Sequence, residues 1–190
     1  EGTNKGIIKS DNGIIINADT FEYNKALNIL NANGNVKIED TVQDYIIYAE
    51  DITYLKNQEK ILTKTNSRAI YQKGKTINAN NFEYNKKLNI LNANGNVKIE
   101  DTVQDYIIFA EDITYLKNQE KILTKNNSRA IYQKGKTIIK ADNFNYNNAL
   151  NILNANGDVK IEDTVQDYVI FAEDITYLKN QEKILTKNNS

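Results

Sequence analysis

Apolar and polar side chains alternate in short runs along this chain, a pattern typical of β-strands. Leu30-Asn31-Ala32 and Val36-Lys37-Ile38 alternate in this way, and Ile, Val, Tyr, Phe and Thr concentrate in runs bounded by Asn, Gly and Asp. The segment Tyr54–Leu62 is also compatible with one or two helical turns, but Asn57-Gln58 between β-forming residues is as easily a turn. The pattern therefore predicts an all-β fold.

Glycines predict where the strands reverse. Asn33-Gly34, Asn94-Gly95 and Asn156-Gly157 have the sequence of a type I′ hairpin turn, in which both central residues take a positive φ. Lys73-Gly74 and Lys134-Gly135 predict looser hairpins with glycine in the left-handed conformation. These positions divide the chain into short antiparallel segments.

The strand pattern occurs three times. Residues 27–77 recur as residues 88–138 with two changes, and a third copy runs from residue 150 to residue 190. A fixed period of about 61 residues indicates a stacked array in which each unit buries its apolar face against the next. We expect one elongated domain, residues 1–190, built of three repeats at about 14–76, 77–137 and 138–190.

A shorter repeat lies inside each copy. Residues 16–25 align with residues 47–56, so the elementary unit is about 30 residues long. Between Ala18 and Phe21 the apolar spacing is three rather than two, which requires a bulge or corner if both side chains face inward. A chain that bends in each strand and folds back every 15 residues or so builds two facing sheets.

The inward face of these sheets is the candidate binding surface. A shift of one residue would invert it, and Ile46-Ile47-Tyr48 carries apolar groups on both faces. The inward side chains form either a closed core or an open groove, and the small Ala18, Ala32 and Ala49 leave room for the groove. The set predicted to line the interior is Ile16, Ala18, Phe21, Tyr23, Leu30, Ala32, Val36, Ile38, Ile47, Ala49, Ile52, Tyr54, Phe82, Tyr84, Leu91, Val97, Ile99, Ile108, Ile113, Tyr115, Phe144, Tyr146, Leu153, Val159, Ile161, Ile170, Ile175 and Tyr177.

Composition excludes several classes of function. The net charge is −1 with no basic stripe, which argues against nucleic acid as a partner. Cysteine and histidine are absent, so there is no disulfide framework and no thiolate or imidazole metal site. No nucleophile, base and oxyanion donor come together in the sequence, so we expect no enzyme, no catalytic residue and no cofactor. The sequence contains no run of about 18 apolar residues, so it predicts no membrane-spanning helix.

Two polar features have alternative interpretations. The triplicated acidic clusters, first seen at Glu39-Asp40 with Asp44 and at Glu50-Asp51, are predicted to be solvated turns rather than calcium sites, because the glycine-rich calcium-binding nonapeptide is missing. Lys37 and its counterparts Lys98 and Lys160 are predicted to face outward. They either keep the protein soluble or meet phosphate groups at the rim of a groove.

The repeated strings resemble a known family. Residues 18–25, 28–38 and 47–54, with their counterparts in the other copies, resemble the OstA-like repeat of LptA, LptC and the N-terminal periplasmic domain of LptD, and the string from Tyr54 to Ile61 resembles that domain of LptD most. The resemblance implies an open twisted jellyroll, or β-taco, with an axial apolar groove. It also implies a periplasmic module that holds the acyl chains of lipopolysaccharide and passes them between membranes. The near identity of the copies departs from the family and suggests either a recent duplication or a redesigned or consensus sequence.

The expected partners follow from the resemblance and from the strand ends. They are lipopolysaccharide or lipid A, together with other Lpt-type jellyroll proteins or a second copy joined end to end by β-augmentation. The chain has no proline to block an edge strand.

No signal segment opens the sequence, so we expect a mature or trimmed form or a protein that is not exported. The alternative function is a structural or adhesive β-solenoid with a closed core and no lipid.

Overall fold

A computed structural model describes residues 6–71, 74–132 and 135–187. These residues form antiparallel strands joined by tight turns, and they contain no α-helix. The strands are β1 (Gly6–Lys9), β2 (Ile14–Ala18), β3 (Thr20–Asn24), β4 (Ile29–Asp40), β5 (Tyr45–Leu55), β6 (Lys60–Thr63), β7 (Ser67–Tyr71), β8 (Lys75–Ala79), β9 (Asn81–Asn85), β10 (Ile90–Asp101), β11 (Tyr106–Leu116), β12 (Lys121–Lys125), β13 (Ser128–Tyr132), β14 (Thr137–Ala141), β15 (Asn143–Asn147), β16 (Ile152–Asp163), β17 (Tyr168–Leu178) and β18 (Lys183–Lys187).

Each layer of the stack is one long strand or two short strands in line. β2 and β3 both pair with β4, β4 pairs with β5, and β5 pairs with both β6 and β7. The same order repeats through β8 to β13 and through β14 to β18. Layers are about 4.8 Å apart, so the stack is roughly 55–60 Å long. The predicted all-β antiparallel stack is confirmed.

Every layer from β2 with β3 through to β17 bends at one point, which we call the corner. The bend separates β2 from β3 at Asp19, as the spacing of Ala18 and Phe21 predicts. In β4 the ladder to β5 shifts register between Asn33 and Val36. The bends lie one above another, and they divide the stack into two facing walls.

The two walls are defined by their residues. The first wall contains residues 6–9, 14–18, 36–40, 45–49, 67–71, 75–79, 97–101, 106–110, 128–132, 137–141, 159–163 and 168–172. The second wall contains residues 20–24, 29–33, 51–55, 60–63, 81–85, 90–94, 112–116, 121–125, 143–147, 152–156, 174–178 and 183–187. Opposite the corner, where each wall ends in a column of hairpin turns, lies what we call the mouth.

The Asn-Gly pairs lie at the corner and not in hairpins. Gly34 is inside β4 with φ of 78°, and its carbonyl accepts a hydrogen bond from the Asp19 amide at 3.0 Å. A Cβ on Gly34 would lie 2.6 Å from Asp19 Oδ2. Gly95 and Gly157 repeat this arrangement. The predicted type I′ hairpin at Asn33-Gly34 and at its two counterparts is therefore wrong, because the positive φ is used for a bulge within a continuing strand.

The real hairpin turns are built from Asp and Asn side chains. Asp40 Oδ1 accepts hydrogen bonds from the amides of Val42 and Gln43, at 3.0 and 2.9 Å. On the other wall, Asn24 Oδ1 accepts one from the Leu27 amide at 3.1 Å. These side chains satisfy amides that the strand ladder leaves unpaired. Lys56–Gln58, for which the sequence also allows a helical turn, is a single 3-10 turn.

The predicted hairpin turns at Lys73-Gly74 and Lys134-Gly135 agree with the structure in part. Gly74 and Gly135 have φ of 104° and 94°, as a left-handed glycine requires, whereas Lys73 and Lys134 lie outside the described residues. Among the described residues, no helix is long and apolar enough to cross a membrane.

Candidate functional site

The predicted interior residues lie on the inner faces of the two walls. Phe21 and Ile170 are half-buried and Tyr23 is 47% exposed, and these three belong to the end strands β3 and β17. All other predicted residues are buried. They are Ile16, Ala18, Leu30, Ala32, Val36, Ile38, Ile47, Ala49, Ile52, Tyr54, Phe82, Tyr84, Leu91, Val97, Ile99, Ile108, Ile113, Tyr115, Phe144, Tyr146, Leu153, Val159, Ile161, Ile175 and Tyr177.

The structure adds tyrosines that the sequence analysis missed. Tyr45, Tyr71, Tyr106 and Tyr132 are buried on the first wall, at the strand ends nearest the mouth. Tyr45 alternates with Ile47 and Ala49, so the period of two marks it as inward. Because Tyr45 lies beside an acidic turn, its alternation with the inward residues is hard to recognise in the sequence.

The interior is filled by these side chains. Residues from Ile14 to Tyr177 form one continuous hydrophobic cluster, and Ile47, Ile61 and Ile77 have no exposed surface. Their side chains pack as in an ordinary core. A cavity of about 180 Å³ opens at the end where β1 lies, and its lining is Ile8, Lys9, Ser10, Ile14, Ile16, Tyr23, Leu30, Tyr54 and Lys56.

Side chains bridge the mouth from wall to wall. The backbone hydrogen bonds of the turns run along each column, for example from the Thr41 amide to the Gly13 carbonyl and from the Lys86 amide to the Glu59 carbonyl. Across the mouth, the Asn12 amide group donates to the Tyr54 hydroxyl at 3.0 Å. We call these bridging side chains the seam.

The strongest contact of the seam is a buried ion pair. Lys86 Nζ lies 2.7 and 2.8 Å from the two carboxylate oxygens of Asp40, and the Tyr84 hydroxyl donates to Asp40 Oδ2 at 2.8 Å. Asp40 is 2% exposed and Lys86 is 7% exposed. The Tyr45 and Tyr84 rings pack beside this pair, tilted by 52° with centroids 4.9 Å apart.

One copy further along the stack, the seam contains a second buried lysine–aspartate pair, in which the lysine comes from a different position in the repeat. Lys75 Nζ lies 3.4 Å from Asp101 Oδ2, and both side chains are buried. Burial lowers the pKa of Lys75, and the Asp101 carboxylate opposes that shift. The Tyr106 and Tyr146 rings meet edge to face at 5.1 Å.

Two further lysines lie against the aromatic rings. Lys117 Nζ is 4.9 and 4.3 Å from the ring centroids of Tyr45 and Tyr71, and Lys179 Nζ is 5.5 Å from those of Tyr106 and Tyr132. Burial lowers the pKa of both lysines. Each cation gains a cation–π contact at the rim of the apolar interior.

The seam tyrosines are held in their neutral form. Burial is the main cause that raises the pKa of Tyr45, Tyr84, Tyr106, Tyr115 and Tyr132 above its ordinary value. Neighbouring tyrosine and carboxylate groups raise it further. The mouth is therefore lined by neutral rings and closed by paired charges.

The polar predictions are partly corrected. Asp40 and Asp101 are buried, so the expectation that the Glu39-Asp40 cluster is a solvated turn is wrong for these carboxylates, because lysines distant in sequence pair with them. Within residues 6–71, 74–132 and 135–187 no group of three potential metal ligands occurs.

The outward lysines have partners on their own strand. Lys98 Nζ lies 2.7 Å from Glu100 Oε2, and Lys37 and Lys160 pair in the same way with the glutamate two residues later. These pairs lie on the outer face, away from the seam. Their charges are therefore already compensated.

Comparison with known proteins yields a distant structural likeness. No protein-family model matches the chain, and no curated protein matches it. One similar solved structure is LptH, described as the LptA homologous periplasmic component of the conserved lipopolysaccharide transport device from Pseudomonas aeruginosa. The identity is 11% and the TM-score 0.33, over 84% of this chain and 93% of that chain. At this level no residue role passes from that protein to this chain.

Proposed function

We propose that this chain is a periplasmic lipid-carrying module of the lipopolysaccharide-transport type. It holds acyl chains between its two walls and passes them along the stack towards the next membrane. The sugar and phosphate groups stay outside the mouth. Resemblance of the repeated strings to the OstA-like repeat supports the choice of lipopolysaccharide among lipids.

One observation carries the proposal: the two walls meet at the mouth through side chains, whereas the corner joins them through the backbone. The ion pair of Asp40 with Lys86 and the packed tyrosine rings can separate without breaking a strand ladder. The walls then part as two rigid sheets. The exposed interior is apolar along its whole length.

The energetics favour passive carriage. Each buried methylene of an acyl chain contributes about 0.8 kcal/mol, so several chains repay the loss of wall-to-wall packing. Because the copies are nearly identical, each level of the stack offers the same apolar environment. No step along the axis is then steeply uphill. Directional movement needs an energy source elsewhere, since the sequence has no nucleotide-binding loop.

The second candidate is a structural β-solenoid with a sealed core. It is favoured by the close packing of the interior, where Ile47 and Ile77 have no exposed surface. Such a protein keeps its seam closed and binds no lipid. The two candidates differ in whether lipid reaches the inner faces.

Photo-crosslinking tests the proposal. A photoreactive phenylalanine analogue replaces Phe82, which is 1% exposed and points inward, or Phe109, which lies on the neighbouring first wall and alternates with the buried Ile108. After incubation with lipopolysaccharide, we expect adducts from position 82 and none from position 109. The same side chain is changed in both variants, so the comparison isolates the face of the sheet.

The outcome decides between the two candidates. Adducts from position 82 with lipopolysaccharide but not with phospholipid vesicles support the lipopolysaccharide-carrying module. Adducts with both lipids indicate a general lipid carrier. Absence of adducts from position 82 in a folded variant, repeated at Ile47, leaves the sealed solenoid.

A further inference from the structure

The turns on the second-wall side of the mouth carry leucines that the fold leaves in solvent. Leu27, Leu88 and Leu150 lie at the same position in the three copies, and they are 61%, 56% and 61% exposed. Each follows the end of β3, β9 or β15 by three residues, in the turn that leads into the next long strand. These side chains are not part of the buried hydrophobic cluster, so core packing does not account for them.

An asparagine side chain fixes the backbone at each leucine. The Leu27 amide donates to Asn24 Oδ1 at 3.1 Å. Leu88 makes the same bond to Asn85 at 2.9 Å, and the turn of Leu150 repeats it. The three turns are therefore preformed, and little backbone order has to be gained when the leucines bind a partner.

Backbone hydrogen bonds join the second-wall turns into one column along the mouth. The Lys56 amide donates to the Asn28 carbonyl at 3.1 Å, and the Lys117 amide donates to the Asn89 carbonyl at 3.2 Å. Corresponding turns of neighbouring copies are four layers apart, so successive leucines are about 19 Å apart along the stack. The three leucines thus form a row on one side of the molecule.

The same column is basic. Its six turns, which we call the leucine column, contain six lysines and three glutamates and lie at 25–28, 56–59, 86–89, 117–120, 148–151 and 179–182. Lys86 is buried in its pair with Asp40, and the other five lysines are at least partly exposed. Lys25 and Lys87 are fully exposed in the turns of the first two leucines. Exposed leucines and exposed cations therefore occur together on this side of the mouth.

The first-wall side of the mouth has a different charge. Its turns also expose an aliphatic residue, and these residues are Val42, Val103 and Val165. Each of these turns ends in an exposed aspartate, at position 44, 105 or 167. The two sides of the mouth thus expose similar aliphatic side chains beside charges of opposite sign.

We infer that the leucine column docks on an anionic lipid surface. The three leucines enter the headgroup region, and the exposed lysines beside them meet lipid phosphate groups. The aspartates keep the valine side away from the same surface, because like charges repel. The docking goes beyond the proposed function and does not depend on it, since a stack with a sealed interior has the same turns.

The spacing of the leucines favours a lipid surface over a protein partner. A protein interface packs a contiguous centre that is enriched in aromatic residues and arginine. The six turns contain neither, and Asn, Gln and Lys residues separate their leucines. A fluid surface accepts separate side chains at once, because lipids rearrange around each of them.

Vesicle flotation tests the docking. We expect the wild-type chain to float with vesicles of equimolar phosphatidylcholine and phosphatidylglycerol, and to bind phosphatidylcholine vesicles at least about 10-fold more weakly. A variant that combines Leu27→Ser, Leu88→Ser and Leu150→Ser has no leucine to insert. Its affinity for the anionic vesicles is expected to fall at least about 30-fold, because three apolar side chains stay out of the lipid. Equal wild-type binding to both kinds of vesicle overturns the anionic surface.

The matched control lies on the other side of the mouth. A variant that combines Val42→Ser, Val103→Ser and Val165→Ser loses as many exposed aliphatic side chains. We expect it to float like the wild type, and circular dichroism verifies that both triple variants are folded. Equal losses in the two variants overturn the docking, and so does a leucine variant that floats like the wild type.

A second pair of variants tests the charge. Lys25→Glu with Lys87→Glu reverses two exposed charges of the leucine column and is expected to weaken binding to the anionic vesicles at least about 30-fold. Lys64→Glu with Lys125→Glu makes the same change in net charge at exposed positions beside the corner. This control is expected to bind like the wild type. Similar losses in both show that only net charge acts, which contradicts docking through the leucine column.

Tryptophan fluorescence identifies the inserted side. The chain has no tryptophan, so a single introduced indole reports without background. When anionic vesicles are added, the emission of Leu88→Trp is expected to shift to shorter wavelength as the indole leaves water. The emission of Val103→Trp, at an exposed turn of the same copy, is expected to stay unchanged. A shift in both variants, or in the second alone, contradicts the docking side.

The docking and the lipid-carrying function fail separately. A wild-type chain that floats with neither kind of vesicle overturns the docking, whatever adducts form from position 82. A chain that floats as expected but gives no adduct from position 82 docks on the lipid surface with a sealed interior.

Discussion

Single residues of the seam differ sharply from similar residues on the outer face. Asp40 and Lys86 are buried at the mouth, where they pair with each other, and Asp40 also accepts hydrogen bonds from Tyr84 and from two turn amides. Lys37 forms a pair of the same chemistry on the outer face, where water screens it. Removing one partner of a buried pair leaves an uncompensated charge, whereas removing a surface partner costs little.

The first prediction compares these two lysines. Lys86→Met is expected to lower the free energy of unfolding by about 3 kcal/mol or more, because Asp40 stays buried without a cation. Lys37→Met removes the same charge on the outer face and is expected to leave stability nearly unchanged. Urea denaturation of both variants measures the difference. Equal stability of the two variants would show that the seam is hydrated.

The sequence could not show the burial of Asp40. Its partner Lys86 is 46 positions away and belongs to the next copy. The residues around Asp40 have the composition of an acidic turn, and Asp40 Oδ1 accepts hydrogen bonds from two amides of that turn. The second oxygen of the same carboxylate enters the seam. One side chain thus serves a local and a distant structure, and only the local one leaves a sequence pattern.

At the scale of the secondary-structure elements, the corner determines how each strand contributes to the two walls. The alternation of apolar residues predicts the strands, and the spacing of Ala18 and Phe21 predicts the bend between β2 and β3. From the sequence alone the Asn33-Gly34 pair predicts a hairpin, but a left-handed glycine suits a bulge as well as a type I′ turn. Whether the pair forms a hairpin turn or a bulge depends on β5, which continues past the bulge as a partner of β4.

The second prediction concerns the corner glycine. Gly34→Ala is expected to lower the free energy of unfolding by about 2 kcal/mol or more, because a Cβ there would lie 2.6 Å from Asp19 Oδ2 and φ is 78°. Gly135→Ala is the matched control, with φ of 94° and no described atom within 4 Å of the new Cβ. We expect it to cost only the conformational part, about 1 kcal/mol. Thermal or urea unfolding measures both. Equal losses contradict a steric role for the corner.

At the scale of the whole molecule, the tyrosines form a column that runs along the mouth. The ring centroids of Tyr45 and Tyr71 are 5.0 Å apart, those of Tyr71 and Tyr115 are 5.5 Å apart, and those of Tyr132 and Tyr177 are 5.5 Å apart. Each ring comes from a different strand, and together they connect the three copies. Their burial couples the stability of the stack to the ionisation of phenol groups.

The third prediction is a loss of stability in alkali. Burial raises the pKa of Tyr45, Tyr106 and Tyr132, so the folded state keeps phenol protons that the unfolded state releases near pH 10. Stability is therefore full below pH 10 and falls above it, by about 1.4 kcal/mol per pH unit for each such tyrosine. Lys75, Lys117 and Lys179, whose pKa values burial lowers, act in the opposite sense, and their effect ends near pH 10.5.

Urea denaturation at pH 8, 10 and 11 measures this loss. The control is Tyr132→Phe, which removes one phenol whose oxygen has no hydrogen-bond partner among the described residues. We expect it to reduce the fall of stability per pH unit above pH 10 by about 1.4 kcal/mol. A stability at pH 11 equal to that at pH 8 would contradict burial of the tyrosine column.

The amino-acid sequence by itself determines the strands, the bend at Ala18 to Phe21, the period of the stack and most of the inward face. These features depend on side-chain alternation and on local backbone preference, which neighbouring residues carry. The tertiary structure alone decides that the glycine pairs lie at the corner and that Asp40 is buried beside Lys86. These features depend on contacts between strands of different copies, and a repeated sequence does not state which copy supplies the partner.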